Sequence, residues 1–272
     1  MESPDVDVDG VAALGHLNLL EQSRQSAGWG VGGSFDDEDG ILVFATGSWL
    51  PVLCNGAFRS DDLADPTMLI ERADAFFRER KRGYTVMVRD LPVDDDLRQA
   101  CASEGLTAFG DPSPEMVCRD PVSGCVPDGI ELRRVATADA VADFAAVSGD
   151  AYGTYGMPAD VPSEVFSAPA RFLAEPNVDA VVAYAGTVPV AAALVLLSHG
   201  IAGVYWVGTV GGARGRGLGR CVTASVTTAA FERGAGAVTL QASVMGEPIY
   251  RSMGFTEVFR YTNWVRFAVP DS

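Results

Sequence analysis

Apolar positions recur at helical spacing near the start of the chain, where Val11, Leu14, Leu17 and Leu20 follow the acidic residues Asp5, Asp7 and Asp9. Carboxylates in a first turn meet the positive end of the backbone dipole, so the pattern predicts a helix of two to four turns. A turn-rich stretch follows, Gly32-Gly33 with Asp36 to Asp39, and then the unbroken apolar run Ile41 to Ala45 reads as a buried strand. Leu50 to Phe58 reads as a second, less regular strand. Pro66 opens a helical pattern through Met68, Leu69, Ala73, Phe76 and Phe77 that ends near Gly83. Tyr84 to Val88 is a strand, Asp94 to Glu104 a helix, and Leu106 to Phe109 a strand. With four prolines and a glycine, Asp111 to Asp128 reads as a linker, with Met116 to Cys118 as one more short strand inside it.

The pattern then starts afresh. Ile130 to Val135 is a strand, and Thr137-Ala138-Asp139 caps a helix carrying Val141, Phe144 and Ala145 on one face. Gly149 to Pro176 is the least patterned part, with a short helix around Ser163 to Ala174. Val178 to Tyr184 and Val188 to Leu197 form a hairpin across Ala185-Gly186-Thr187, and another strand follows the turn at His199-Gly200. The two halves resemble each other. Arg82-Gly83, a strand, an acidic helix and Glu104-Gly105-Leu106 parallel Arg233-Gly234, the strand Ala237 to Ala242, a helix and Met253-Gly254-Phe255. Such a repeat implies two copies of one module, residues 1–127 and 128–272.

Composition narrows the partners. The 272 residues carry a net charge of -16, with 10 basic and 23 acidic residues up to 127, and 10 basic and 13 acidic after it. An acidic surface repels phosphate backbones and anionic lipid, so neither nucleic acid nor a membrane is expected as a partner. The longest apolar run, Val188 to Leu197, is half of what a spanning helix needs, and no export signal opens the chain, so a cytoplasmic protein is expected. Five cysteines without paired spacing are expected to be buried thiols, and no metal site is expected. A homo-oligomer is left open.

Candidate chemistry concentrates in Ile201 to Phe255. A strand ending Gly208-Thr209-Val210 runs into Arg214-Gly215-Arg216-Gly217-Leu218-Gly219-Arg220, which opens a helix. Glycines at alternate positions let the backbone approach a ligand closely, and amides at a helix N-terminus stabilise phosphate. Such a turn is also compatible with a purely structural role. The first copy lacks it and offers Asp61-Asp62-Leu63-Ala64-Asp65 instead; counting back from the shared glycine, Cys101 stands where the second copy has Tyr250. Tyr250 is either a core aromatic beside Phe255 or a phenol placed to donate a proton.

The run Arg-x-x-Gly-x-Gly after a strand, then helix, strand and Tyr-x-x-x-Gly-Phe, resembles the GNAT superfamily of acyl-CoA-dependent N-acyltransferases over about residues 129–268. The resemblance implies an α/β (α+β) fold of two GNAT-like modules, each a mixed, mainly antiparallel sheet flanked by helices, the first degenerate. It implies acetyl-CoA as cosubstrate and a small-molecule amine as acceptor. Gly215, Arg216, Gly217, Leu218, Gly219 and Arg220, with Arg214 beside them, would take the pyrophosphate, and Gly208, Thr209 and Val210 the pantetheine arm. Ser243 stands where the family often has an asparagine meeting the same arm, and Tyr250 matches the family's general acid. The glutamate that many members carry on the strand before the turn is missing, since this strand reads Gly203-Val204-Tyr205-Trp206-Val207. Water, Asp150 or Glu164 are the candidate bases. Tyr152 and Tyr155 are candidates to line the acceptor pocket or simply to pack, and His16 and His199 read as structural. Without a base the chain could also be a non-catalytic acyl-CoA-binding protein.

Overall fold

In a computed structural model describing residues 8–268, these segments become nine helices and eleven strands among the described residues. The helices are α1 (Val8–Trp29), α2 (Pro51–Cys54), α3 (Pro66–Arg80), α4 (Asp95–Ser103), α5 (Ala138–Gly153), α6 (Val161–Val165), α7 (Pro169–Leu173), α8 (Leu218–Glu232) and α9 (Glu247–Ser252). The strands are β1 (Ser34–Glu38), β2 (Ile41–Ala45), β3 (Asn55–Arg59), β4 (Tyr84–Arg89), β5 (Thr107–Cys118), β6 (Ile130–Arg134), β7 (Val178–Ala185), β8 (Val188–Ser198), β9 (Ile201–Thr209), β10 (Val238–Gln241) and β11 (Thr256–Arg266).

All eleven lie in one sheet, ordered β1-β2-β3-β4-β11-β5-β10-β9-β8-β7-β6. Read outward from the β11–β5 junction, that order matches β11 with β5, β4 with β10, β3 with β9 and β2 with β8. Each half has one parallel pair, β3 with β4 and β9 with β10, and every other ladder is antiparallel. The repeat is therefore real, and its halves are related by a local two-fold axis between β5 and β11. The same backbone closure ends the last helix of each copy: Leu106 N donates to Cys101 O at 2.9 Å, and Phe255 N to Tyr250 O at 3.0 Å.

The halves are not separate sheets. β11 lies between β4 and β5, and β5 between β11 and β10, so each half's last strand completes the other's sheet. This corrects the linker. Residues 111–118 belong to β5, and the stretch without regular structure is 119–129. Pro112 and Pro114 read as breakers because proline cannot donate to a ladder, but Pro112 falls in a slip of the β5–β11 register, a setting in which a sheet tolerates proline, and Pro114, opposite Arg260, lies between that slip and a second one.

Other departures have local causes. α1 runs to Trp29, well beyond four turns, because Asn18, Ser23 and Ser26 are buried polar residues that a hydrophobic pattern passes over. Asp5 and Asp7 lie outside the described residues. Asp36 and Asp37 pair in β1, and the turn is Asp39-Gly40, both left-handed as a two-residue hairpin loop requires. The single helix expected around 163–174 is split into α6 and α7 at Pro169, and Leu50 to Phe58 holds the short α2 before β3 begins. Cys54, Cys101, Cys118 and Cys221 are buried, whereas Cys125 is exposed.

An aromatic cluster joins the halves on one face of the sheet. Trp29 of α1 stacks on Phe166 at 5.6 Å and meets Phe172 edge-on at 5.2 Å, while Phe166 meets Phe144 and Trp206. Such pairs contribute about 1 kcal/mol each beyond the apolar area they bury. They hold α1 against the helices that border the candidate site. No helix among the described residues is long and apolar enough to cross a membrane.

Candidate active site

β9 and β10 pair only through Ala202 with Val238 and Gly203 with Thr239. Beyond Gly203 they part, and β10 keeps only β5 as a neighbour while β9 keeps only β8. A notch opens between them. β9 carries a bulge there, with Trp206 forced to a φ of 54° between the pairs Leu194–Tyr205 and Ala192–Gly208.

The notch exposes backbone. Val210 N donates to Val190 O at 3.0 Å, so that pair is hydrogen-bonded across to β8. Antiparallel pairs alternate, and Thr209, opposite Ala191, therefore turns its amide away from β8 and into the notch. Of the three residues expected to meet the pantetheine arm, Thr209 has a free amide on that side, Val210 has spent its own, and Gly208 serves packing: a Cβ on it would lie 2.7 Å from that of Ala151 on α5.

At the mouth of the notch the chain makes a 3₁₀ turn, Gly211–Ala213, and then passes through Gly215 and Gly217 with φ of 74° and 75°. Leu218, 1% exposed, anchors the first turn of α8 in the core. No side chain caps α8, so its leading amides face outward without an internal partner. This arrangement suits a diphosphate. Of the arginines, only Arg216 stands exposed and unengaged by any described hydrogen bond or ion pair. Arg214 reaches back to the carbonyls of Thr209 (3.3 Å) and Ala151 (3.2 Å), and Arg220 to Ser252 Oγ (3.2 Å), so both brace the loop.

Tyr250, on α9, lies behind the notch with its ring packed on Gly246 and tilted against Phe255. Burial pushes its phenol well above 10, and the nearby Thr223 hydroxyl pulls only weakly the other way. Thr223 Oγ1 is buried and has no hydrogen-bond partner among the described residues. The phenol stays protonated at every physiological pH. Ser243 Oγ accepts from Tyr155 Oη at 2.9 Å and from Gly246 N at 3.2 Å, tying the end of α5 to the loop after β10. Tyr152, its ring 5.5 Å from Trp206 and 6.4 Å from Tyr155, completes an aromatic wall.

Asp150 accepts from Gly211 N at 2.6 Å and holds the turn. Glu164 backs onto the first half, its carbonyl 2.6 Å from where a Cβ on Gly30 would stand. His16, buried between Tyr261 Oη (2.9 Å) and Arg59 O (2.8 Å), is lowered to about 4 chiefly by desolvation, and His199 occupies a left-handed turn position. Both are structural. The pattern did not single out Gln241, the last residue of β10, or Glu115, directly opposite it on β5. Met116 to Cys118 reads as a short strand, but the prolines just before it hid its extension back through Glu115.

The equivalent place in the first half is filled. β3 and β4 pair only at Gly56–Thr85 and Ala57–Val86, and the gap beyond them holds Arg59, forked onto Asp96 at 2.9 Å through each nitrogen, and Arg89, bound to Asp94 at 2.8 Å and Asp62 at 2.6 Å. Asp65 caps α3 by accepting from Thr67 N and Met68 N. A helix end already holding its own carboxylate, beside Asp61 and Asp62, repels phosphate.

No family profile matches the sequence, and no curated protein matches it. Solved structures do. The chain is similar to a GCN5-related N-acetyltransferase from Kribbella flavida, with 22% identity, 99% of this chain and 98% of that one covered, and a TM-score of 0.68. A GCN5-related N-acetyltransferase from Sphaerobacter thermophilus matches at 15% identity over 94% and 93%, with a TM-score of 0.61. A tandem GNAT protein from the clavulanic acid biosynthesis pathway matches at 15% identity over 98% and 97%, with a TM-score of 0.60.

Proposed function

We infer, from the tandem GNAT fold of this chain, that it moves an acetyl group from acetyl-CoA to the nitrogen of a small-molecule amine. The observation that carries the reading is the abandonment of β10 by β9 at Gly203, directly ahead of a helix with no side-chain cap. The pyrophosphate would rest on the amides of residues 215–220 with Arg216 beside it. The Thr209 amide would meet the pantetheine arm or the thioester carbonyl, where a fixed donor stabilises the negative charge that grows on oxygen during attack.

The amine would attack that carbonyl, and the tetrahedral intermediate would expel the thiolate. Tyr250 would give the thiolate its phenolic proton and recover one from the nitrogen as the amide forms. A buried phenol held protonated suits the donor's part.

The test is thiol release from acetyl-CoA with a panel of primary amines. Turnover is expected for at least one amine, and Tyr250→Phe should lower it at least about tenfold with acetyl-CoA affinity unchanged. The absence of a carboxylate on β9 favours the rival reading of a non-catalytic acyl-CoA-binding protein. Tight coenzyme A binding with no amine ever yielding thiol above hydrolysis would establish that rival.

A further inference from the structure

We propose that Gln241 receives the acceptor amine, offering its side-chain carbonyl oxygen to an N–H of the incoming nitrogen, and that Glu115 decides which end of that amide faces the notch. The inference rests on the acetyl-transfer reading and adds a recognition residue to it, together with a positioning residue supplied by the other half of the chain.

Gln241 closes β10 two residues after the last rung it shares with β9, so its flank on the β9 side is open. It is half-buried, at the rim of the notch. Thr239, Gln241 and Glu115 point to the same face, because Gln241 and Thr239 are two apart and Glu115 is the direct cross-strand partner of Gln241. That face is the one covered by α1, opposite the α8 side where the pyrophosphate would lie: a Cβ on Gly15 of α1 would stand 2.7 Å from Glu115 Oε1.

Gln241 Nε2 donates to Glu115 Oε2 at 2.5 Å. An ionised carboxylate has no hydrogen to give, so it admits only the nitrogen end of the amide and leaves the carbonyl for the notch. A protonated carboxyl can donate, and then the oxygen end turns inward and –NH2 faces the notch, where it opposes another N–H donor. Glu115 is fully buried, and its Oε1 has no hydrogen-bond partner among the described residues, although Thr239 Oγ1, also unpartnered, lies alongside. Burial raises its carboxyl from 4.5 to about 7, with Gln241 and Thr239 acting in the opposite direction. The titratable groups facing it are Tyr205 from β9 and Tyr261 from β11, with His16 of α1 bonded to Tyr261 and, behind His16, Arg59, Arg89 and Asp94. The tyrosines are pushed upward and His16 downward, so none of these three changes charge near neutrality.

Two measurements on the full chain test this. The side-chain amide resonance of Gln241 in 15N-labelled protein, assigned by its loss in Gln241→Met, should move with a midpoint near pH 7 in the natural protein and stay fixed in Glu115→Gln. The KM for the amine should fall from pH 6 to pH 8 by about fivefold more in the natural protein than in Glu115→Gln, the worth of one neutral hydrogen bond, and Gln241→Met should raise it while leaving the KM for acetyl-CoA unchanged. A resonance that does not titrate, or identical KM profiles in the two proteins, overturns the proposal while leaving acetyl transfer standing. Failure of every amine to turn over removes the acetyl-transfer reading and the recognition role together, whatever the resonance does.

Discussion

Replacing Glu115 by glutamine should stabilise this protein at alkaline pH and leave it nearly unchanged at acid pH. Glu115 is 0% exposed, with desolvation raising its carboxyl from 4.5 to about 7. The folded state therefore holds a proton that the unfolded chain releases. Its contribution is fully present below pH 4.5 and is lost as pH rises through 7, because above that point folding must bury a charge. With each pH unit worth about 1.4 kcal/mol, the penalty above pH 8 is about 3 kcal/mol. Glutamine has the same shape and no charge. It can still accept from Gln241 Nε2 and can donate to Thr239 Oγ1, which lacks a partner. Urea unfolding at pH 5 and pH 8, analysed for both proteins after a check for two-state behaviour, measures the difference directly, and every other titrating group cancels between them. If both proteins lose the same stability between those pH values, Glu115 is ionised at little cost and the reasoning from its burial is wrong.

Two further outcomes are expected. Gly217→Val should abolish coenzyme A binding, read by calorimetry, because a branched residue at a φ of 75° distorts the turn and places a side chain over the first amides of α8; binding at the original affinity would put the ligand elsewhere. Asp94→Ala should cost about 3–5 kcal/mol in urea unfolding, since it strips Arg89 of a forked partner in a site where Asp94 is 1% exposed, and a loss under about 1 kcal/mol would mean that Asp62 alone satisfies that arginine.

The elements around the glycine turn were legible because their signals are local. Alternating glycines, a strand before them and Tyr-x-x-x-Gly-Phe after them each reflect backbone geometry within a few residues. The repeat was legible for the same reason, since Cys101 and Tyr250 end their helices with the same backbone bond. What stayed hidden depends on partners distant in sequence. Nothing near Arg214 announces that its guanidinium is spent on Ala151, 63 residues earlier, and Glu115 carries no local mark of burial in a stretch dotted with prolines. The exchange of β5 and β11 leaves no periodic trace, because a strand reads alike whichever neighbours it has.

That exchange gives the first half a use that does not depend on binding anything. Its own gap is plugged by Arg59 and Arg89, yet it contributes the strand against which β10 is held, and with it the carboxylate opposite Gln241. A fragment beginning at residue 128 would leave β10 without β5 and β11 without either of its neighbours, β4 and β5, and so open unpaired edges to other chains. During synthesis β5 must wait for a neighbour that is made last, so the notch acquires its second wall only when the chain is nearly complete. The first copy is in this sense a resident template, and its loss would be felt first as aggregation.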